Sequence, residues 1–80
     1  MARLTGTVSR GSAPADGAYV QLRNLSGDFQ GEVRTGEDGR FTLHPMPGRW
    51  RLVSFAPSTP TVMREVDIGS DDIVIDLTLE

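Results

Sequence analysis

Eight arginines, one histidine and no cysteine bound the chemistry open to this 80-residue chain. Arg34, Arg40, Arg49 and Arg51 fall at outward positions of successive predicted strands, and Arg23 lies close enough in the pattern to join them. Guanidinium groups gathered on a sheet face can grip carboxylate, phosphate, sulfate or thiosulfate in bidentate fashion. The simpler reading is a solvated face on which Glu32 and Glu65 alternate with the arginines. Tyr19, Phe29 and Phe55 fall outside the main apolar stripe. They either form a patch for a partner protein or a sugar, or lie beneath loops.

Catalytic chemistry finds little to work with. His44 is the single histidine, with no second metal ligand or nucleophile near it in sequence, and it reads as a solvent-facing strand end. Serines are present, but a triad needs a base and an orienting group beside the nucleophile. The acidic pairs Glu37-Asp38 and Asp71-Asp72 are a thin start for calcium, which takes six to eight oxygens, and turn chemistry explains them more simply. No catalytic residue, metal site or cofactor is expected. Trp50, mid-strand after Pro47-Gly48, reads as a core anchor rather than a ligand platform.

Composition narrows the class. The length allows one domain over residues 1–80. A net charge of −3 argues against a nucleic-acid groove, which a basic stripe would mark. No apolar run approaches the ~20 residues of a membrane span, and Met1-Ala2-Arg3-Leu4 is followed by no signal-peptide core. A soluble, cytoplasmic monomer is the expectation, and the lack of cysteine is compatible with it. All basic residues being arginine fits a GC-rich genome.

These side chains are carried by strands. The organising stretch is 37–52: Phe41 and Leu43 alternate with Arg40, Thr42 and His44, and Trp50 and Leu52 alternate with Arg49 and Arg51. Glu37-Asp38-Gly39 suits a three-residue hairpin loop with Gly39 in the left-handed region. Before it, strands are expected at 3–9, 18–23 and 31–35. After it, strands are expected at 61–68 and 73–79, and Pro57 and Pro60 mark a loop. Gly6, at an inward position, predicts close approach of a large group, with Trp50 the candidate. Val53 and Phe55 oppose Trp50 and Leu52 in phase, so either that face is covered or a bulge intervenes. Seven short strands with regular turn signals predict an all-β antiparallel sandwich or barrel.

Leu4-Thr5-Gly6-Thr7-Val8, Gly17-Ala18-Tyr19-Val20-Gln21-Leu22, Asp38-Gly39-Arg40-Phe41 and Pro47-Gly48-Arg49-Trp50-Arg51-Leu52 resemble the carboxypeptidase regulatory-like domain. That resemblance implies a prealbumin-like (transthyretin-like), seven-stranded Greek-key sandwich over nearly the whole chain. It leaves function open, because such modules are appended to many unrelated proteins. Transthyretin-related hydrolases share the fold but use several histidines, where this chain has one. A narrower resemblance, carried by residues 17–22, 27–33, Phe41, 47–50 and Arg64-Glu65-Val66-Asp67-Ile68, is to a small actinobacterial family of unknown function. Its members tend to accompany thiosulfate sulfurtransferases, which implies a sulfurtransferase as partner. Members often carry a cysteine in an N-terminal extension; these residues hold none and cannot carry sulfur covalently.

The reading is therefore a non-enzymatic accessory or protein-interaction module, with Tyr19, Arg34, Arg40, Arg49, Arg51 and Phe55 as its binding surface. The alternative is a small-ligand domain for a carbohydrate or anion on the same residues.

Overall fold

Period-2 alternation sets the strands of the computed structural model, which describes residues 2–79. In chain order they are β1 (Leu4–Arg10), β2 (Ala13–Pro14), β3 (Tyr19–Arg23), β4 (Phe29–Arg34), β5 (Arg40–Leu43), β6 (Gly48–Phe55), β7 (Val62–Ile68), β8 (Ile73–Val74) and β9 (Leu77–Leu79). No helix forms among the described residues, so none is long and apolar enough to cross a membrane.

Two sheets enclose one core. The first is built on β1, which pairs antiparallel with β2 and β5 and parallel with β8 and β9. The second has the order β4-β3-β6-β7, antiparallel throughout. Leu4, Val8, Val20, Leu22, Phe41, Leu43, Leu52, Val66, Ile68, Leu77 and Leu79 fill the space between them. The all-β, two-layer expectation holds, but the strand count does not: the described residues form nine short strands where the spacing predicts seven, and the first and last regions pair in parallel.

The expected strand at 73–79 is divided by one backbone detail. Ile75 turns its carbonyl inward onto Gly6, so close that a Cβ at Gly6 would overlap it. That carbonyl is then lost to the ladder, and the Thr7 N–H donates to Asp76 Oδ1 instead, at 3.2 Å. Gly6 is thus needed for a backbone approach, with the Phe41 ring as its other neighbour. Trp50 is not there. It sits half-buried on β6 at the side of the core, and its Nε1–H donates to the Met46 carbonyl at 2.8 Å.

The hairpin expected at 37–39 is also corrected. Gly39 does take φ +76°, but β4 and β5 belong to different sheets. The turn carries the chain across the sandwich because the Gly39 carbonyl accepts the Val8 N–H at 2.8 Å, docking the turn onto β1. Thr35, buried at the crossing, accepts the Ala18 N–H at 2.8 Å and donates to the Ala15 carbonyl at 2.6 Å. Strand β6 runs without a bulge, so Val53 and Phe55 face outward as the phase requires. Val53 is nonetheless buried, between Gln21 on β3 and Met63 on β7.

Candidate functional site

The register of the four-stranded sheet places its outward side chains in rows. One row runs Arg34–Tyr19–Phe55 across β4, β3 and β6; the next runs Glu32–Gln21–Val53–Met63; a third holds Arg23, Arg51 and Glu65. Tyr19 and Phe55 stack at 5.5 Å between centroids with a 24° interplanar angle. The Arg34 guanidinium lies over the Tyr19 ring at 5.6 Å, steadied by donation from Nε to the Gly17 carbonyl at 3.3 Å. Such stacked, cation-backed aromatics are stiff and offer apolar area at low ordering cost. Phe29 and Met63 extend the apolar character, 54% and 65% exposed.

The arginines do not converge. Arg49 faces Glu65 at 3.3 Å and Asp67 at 3.4 Å on β7, and Arg51 faces Glu65 at 3.6 Å. Arg23 donates to Gln21 Oε1 and to the Gly27 carbonyl, with Phe29 beneath it at 5.7 Å. Arg40 lies in the other sheet and, among the described residues, pairs only with Asp38, two residues back, at 3.6 Å. Of the six expected surface residues, Tyr19, Arg34 and Phe55 form one contiguous unit, Arg49 and Arg51 are paired with β7 carboxylates toward the other end of the same face, and Arg40 is in the other sheet. Sequence spacing could not foresee this, because the turn at 36–39 changes sheets.

Arg40 instead rims a second feature. A shallow cleft of about 350 Å³ opens on the outer face of the β1 sheet, lined by Thr5, Thr7, Arg40, Thr42, Val74 and Asp76 around the Gly6–Phe41 floor. Asp76 Oδ1 accepts both the N–H and the Oγ1–H of Thr7, the latter at 2.9 Å. Arg40 and Asp76 share the cleft without pairing. Its threonines alternate on β1 and β5, but nothing in the spacing joins residue 76 to residue 7, so the cleft is invisible to sequence reading.

The remaining candidates have structural roles. His44 is exposed beyond the end of β5. Asp72 accepts the Arg3 N–H at 2.9 Å, tying the turn before β8 to the start of β1, and Asp38 accepts the Arg40 N–H at 3.0 Å within its own turn.

The fold recurs in solved proteins. The 5-hydroxyisourate hydrolase of Klebsiella pneumoniae superposes with a TM-score of 0.71 at 20% identity, over 96% of this chain and 90% of that one. A DUF3823 family protein from Parabacteroides merdae gives 0.69 at 17% identity, over 98% of this chain and 45% of that one. The Bacillus anthracis TIE protein gives 0.66 at 13% identity, over 96% of this chain and 16% of that one. At such identities the likeness is one of fold: a transthyretin-like β-sandwich. No curated protein matches the chain. A family model described as "Protein of unknown function (DUF1416)" matches residues 1–76.

Proposed function

This chain belongs to the DUF1416 family, and from that premise we propose that it is a non-enzymatic accessory module that binds another protein. The binding face is the outer surface of the β4-β3-β6-β7 sheet. One observation carries the reading: the Tyr19–Phe55 stack with Arg34 laid on it, with exposed Met63 in the next row and exposed Phe29 at the far end of β4. Aromatic and arginine side chains of this kind are what interface hot spots are made of. The resemblance to an actinobacterial family that accompanies thiosulfate sulfurtransferases nominates a sulfurtransferase as the partner.

Affinity capture from native lysate tests it, using wild-type protein, Tyr19→Ala/Phe55→Ala and, as a control on the far sheet, Arg40→Ala. The expected result is one reproducible partner held by wild type and Arg40→Ala and lost by the double variant. Recovery of no partner, or its retention by the double variant, contradicts the proposal.

The second reading, small-ligand binding, is favoured by a different observation: the cleft where Arg40 and Asp76 stand apart among threonine hydroxyls. A small carboxylate or other oxyanion carrying a hydroxyl suits it, the anion to Arg40 and the hydroxyl to Asp76. Titration with sulfate, thiosulfate and small hydroxy acids would then shift the amide signals of Thr5, Thr7 and Thr42. A flat response at millimolar ligand removes this reading.

A further inference from the structure

Strand β4 is an open edge of the four-stranded sheet: it pairs with β3 on one side and with no strand on the other among the described residues. Its side chains are mostly exposed, with Gly31 and Val33 half-buried. The register Val20↔Val33 and the bond from the Thr35 N–H to the Ala18 carbonyl at 2.8 Å fix which backbone groups are taken. Residues 31, 33 and 35 turn theirs toward β3, so by alternation Glu32 and Arg34 present their N–H and C=O groups to the open side. An exposed row of this kind is a template for a further strand.

We propose that the strand it accepts is β4 of a second copy of this chain, antiparallel and centred on Val33. A two-fold axis normal to the sheet keeps each side chain on its own face, so opposite residues share a face. With the axis at Val33, Glu32 stands opposite Arg34 of the second copy, and Arg34 opposite Glu32 of the second copy. Both pairs exchange backbone hydrogen bonds, and their side chains bring opposite charges together on the outer face. Val33 meets Val33 of the second copy on the inner face. Glu32 already holds the Gln21 amide through Oε2 at 2.8 Å, and Arg34 uses Nε for the Gly17 carbonyl, so one carboxylate oxygen and the terminal guanidinium nitrogens remain for the pair.

Charge is what singles out this edge. Among the described residues strand β7 is the other long free edge, and its residues on the outer face are Met63, Glu65 and Asp67. A two-fold there sets Glu65 against itself, or Glu65 against Asp67, or offers only Met63 against Glu65. None of these is complementary, whereas Glu32-Val33-Arg34 is its own complement. The product is a continuous sheet spanning both copies, and a dimer in place of the monomer expected from sequence. Self-pairing at β4 does not depend on what binds the Tyr19–Phe55 face.

Sedimentation equilibrium tests this at protein concentrations up to about 1 mM, since a single strand pair makes a small and therefore weak interface. Wild type is expected to dimerise reversibly. Glu32→Arg and Arg34→Glu are each expected to stay monomeric, because each sets like charges opposite one another. An equimolar mixture of the two is expected to form a heterodimer, since one copy then supplies two arginines and the other two glutamates. Amide hydrogen exchange on wild type gives a readout that needs no variant: the Glu32 and Arg34 amides become protected as concentration rises. A wild type that stays monomeric throughout, single variants that dimerise unchanged, a mixture that fails to associate, or protection at Met63 and Glu65 instead would each overturn the proposal.

Discussion

The two sheets share one core but are held by different means. The β1 sheet depends on backbone placed against backbone. The Ile75 carbonyl lies on Gly6, the Gly39 carbonyl takes the Val8 N–H, and Asp76 stands in for a missing ladder acceptor. The four-stranded sheet is regular except for one irregularity at the Leu22–Arg23 end of β3, and its outer face is ordered by side chains: a ring stack, a guanidinium on a ring and ion pairs to β7. Side chains can be exchanged one at a time, whereas a backbone contact leaves no room for any. The first sheet should therefore be brittle to substitution, and the second tolerant and free to carry recognition.

The sharpest way to break that contrast is Gly6→Ala. Its Cβ has no space against Ile75, so a loss above about 4 kcal/mol is expected, enough to abolish the fold of a domain this small. A cooperative melt near that of wild type would show the backbone approach to be dispensable. Trp50→Ala should cost about 3 kcal/mol, toward the lower end for a large core residue because Trp50 is only half-buried. Chemical denaturation measures it, and a cost below about 1 kcal/mol would place the indole outside the core's energetics. Tyr19→Ala/Phe55→Ala removes a surface stack and should cost about 1–2 kcal/mol, leaving a folded protein for binding experiments. Smallest is Ser54→Ala. The Ser54 hydroxyl is fully buried and has no hydrogen-bond partner among the described residues, so its removal should be neutral or stabilise by up to about 1 kcal/mol. A clear loss of stability would mean the hydroxyl is bonded after all.

What could be read from sequence follows the same division. Strand positions and inward faces were legible because burial on one side imposes a period of two: Leu4, Val8, Val20, Leu22, Phe41 and Leu43 all point where alternation puts them. Tyr19, Phe29 and Phe55 lie outside the core for the same reason. Sheet membership was not legible. Glu37-Asp38-Gly39 has the composition of a hairpin loop and the expected positive φ, yet the N–H donor that decides its path belongs to Val8, some thirty residues away in sequence. Hence Arg40, which strand spacing groups with Arg34, Arg49 and Arg51, stands apart from them. Gly6 correctly signalled a close approach, but a glycine does not say whether backbone or indole will come near. The cleft, made by a contact between Thr7 and Asp76, had no local signature at all.

We propose that recognition resides on the aromatic face of the four-stranded sheet and not on the threonine cleft behind it. Amide chemical-shift mapping of the isotope-labelled chain against its captured partner separates the two. Perturbations centred on Tyr19, Arg34, Val53 and Phe55 are expected, with Thr5, Thr7 and Thr42 unmoved. A footprint centred on Thr5, Thr7, Arg40 and Thr42, with the Tyr19–Phe55 row silent, would contradict it.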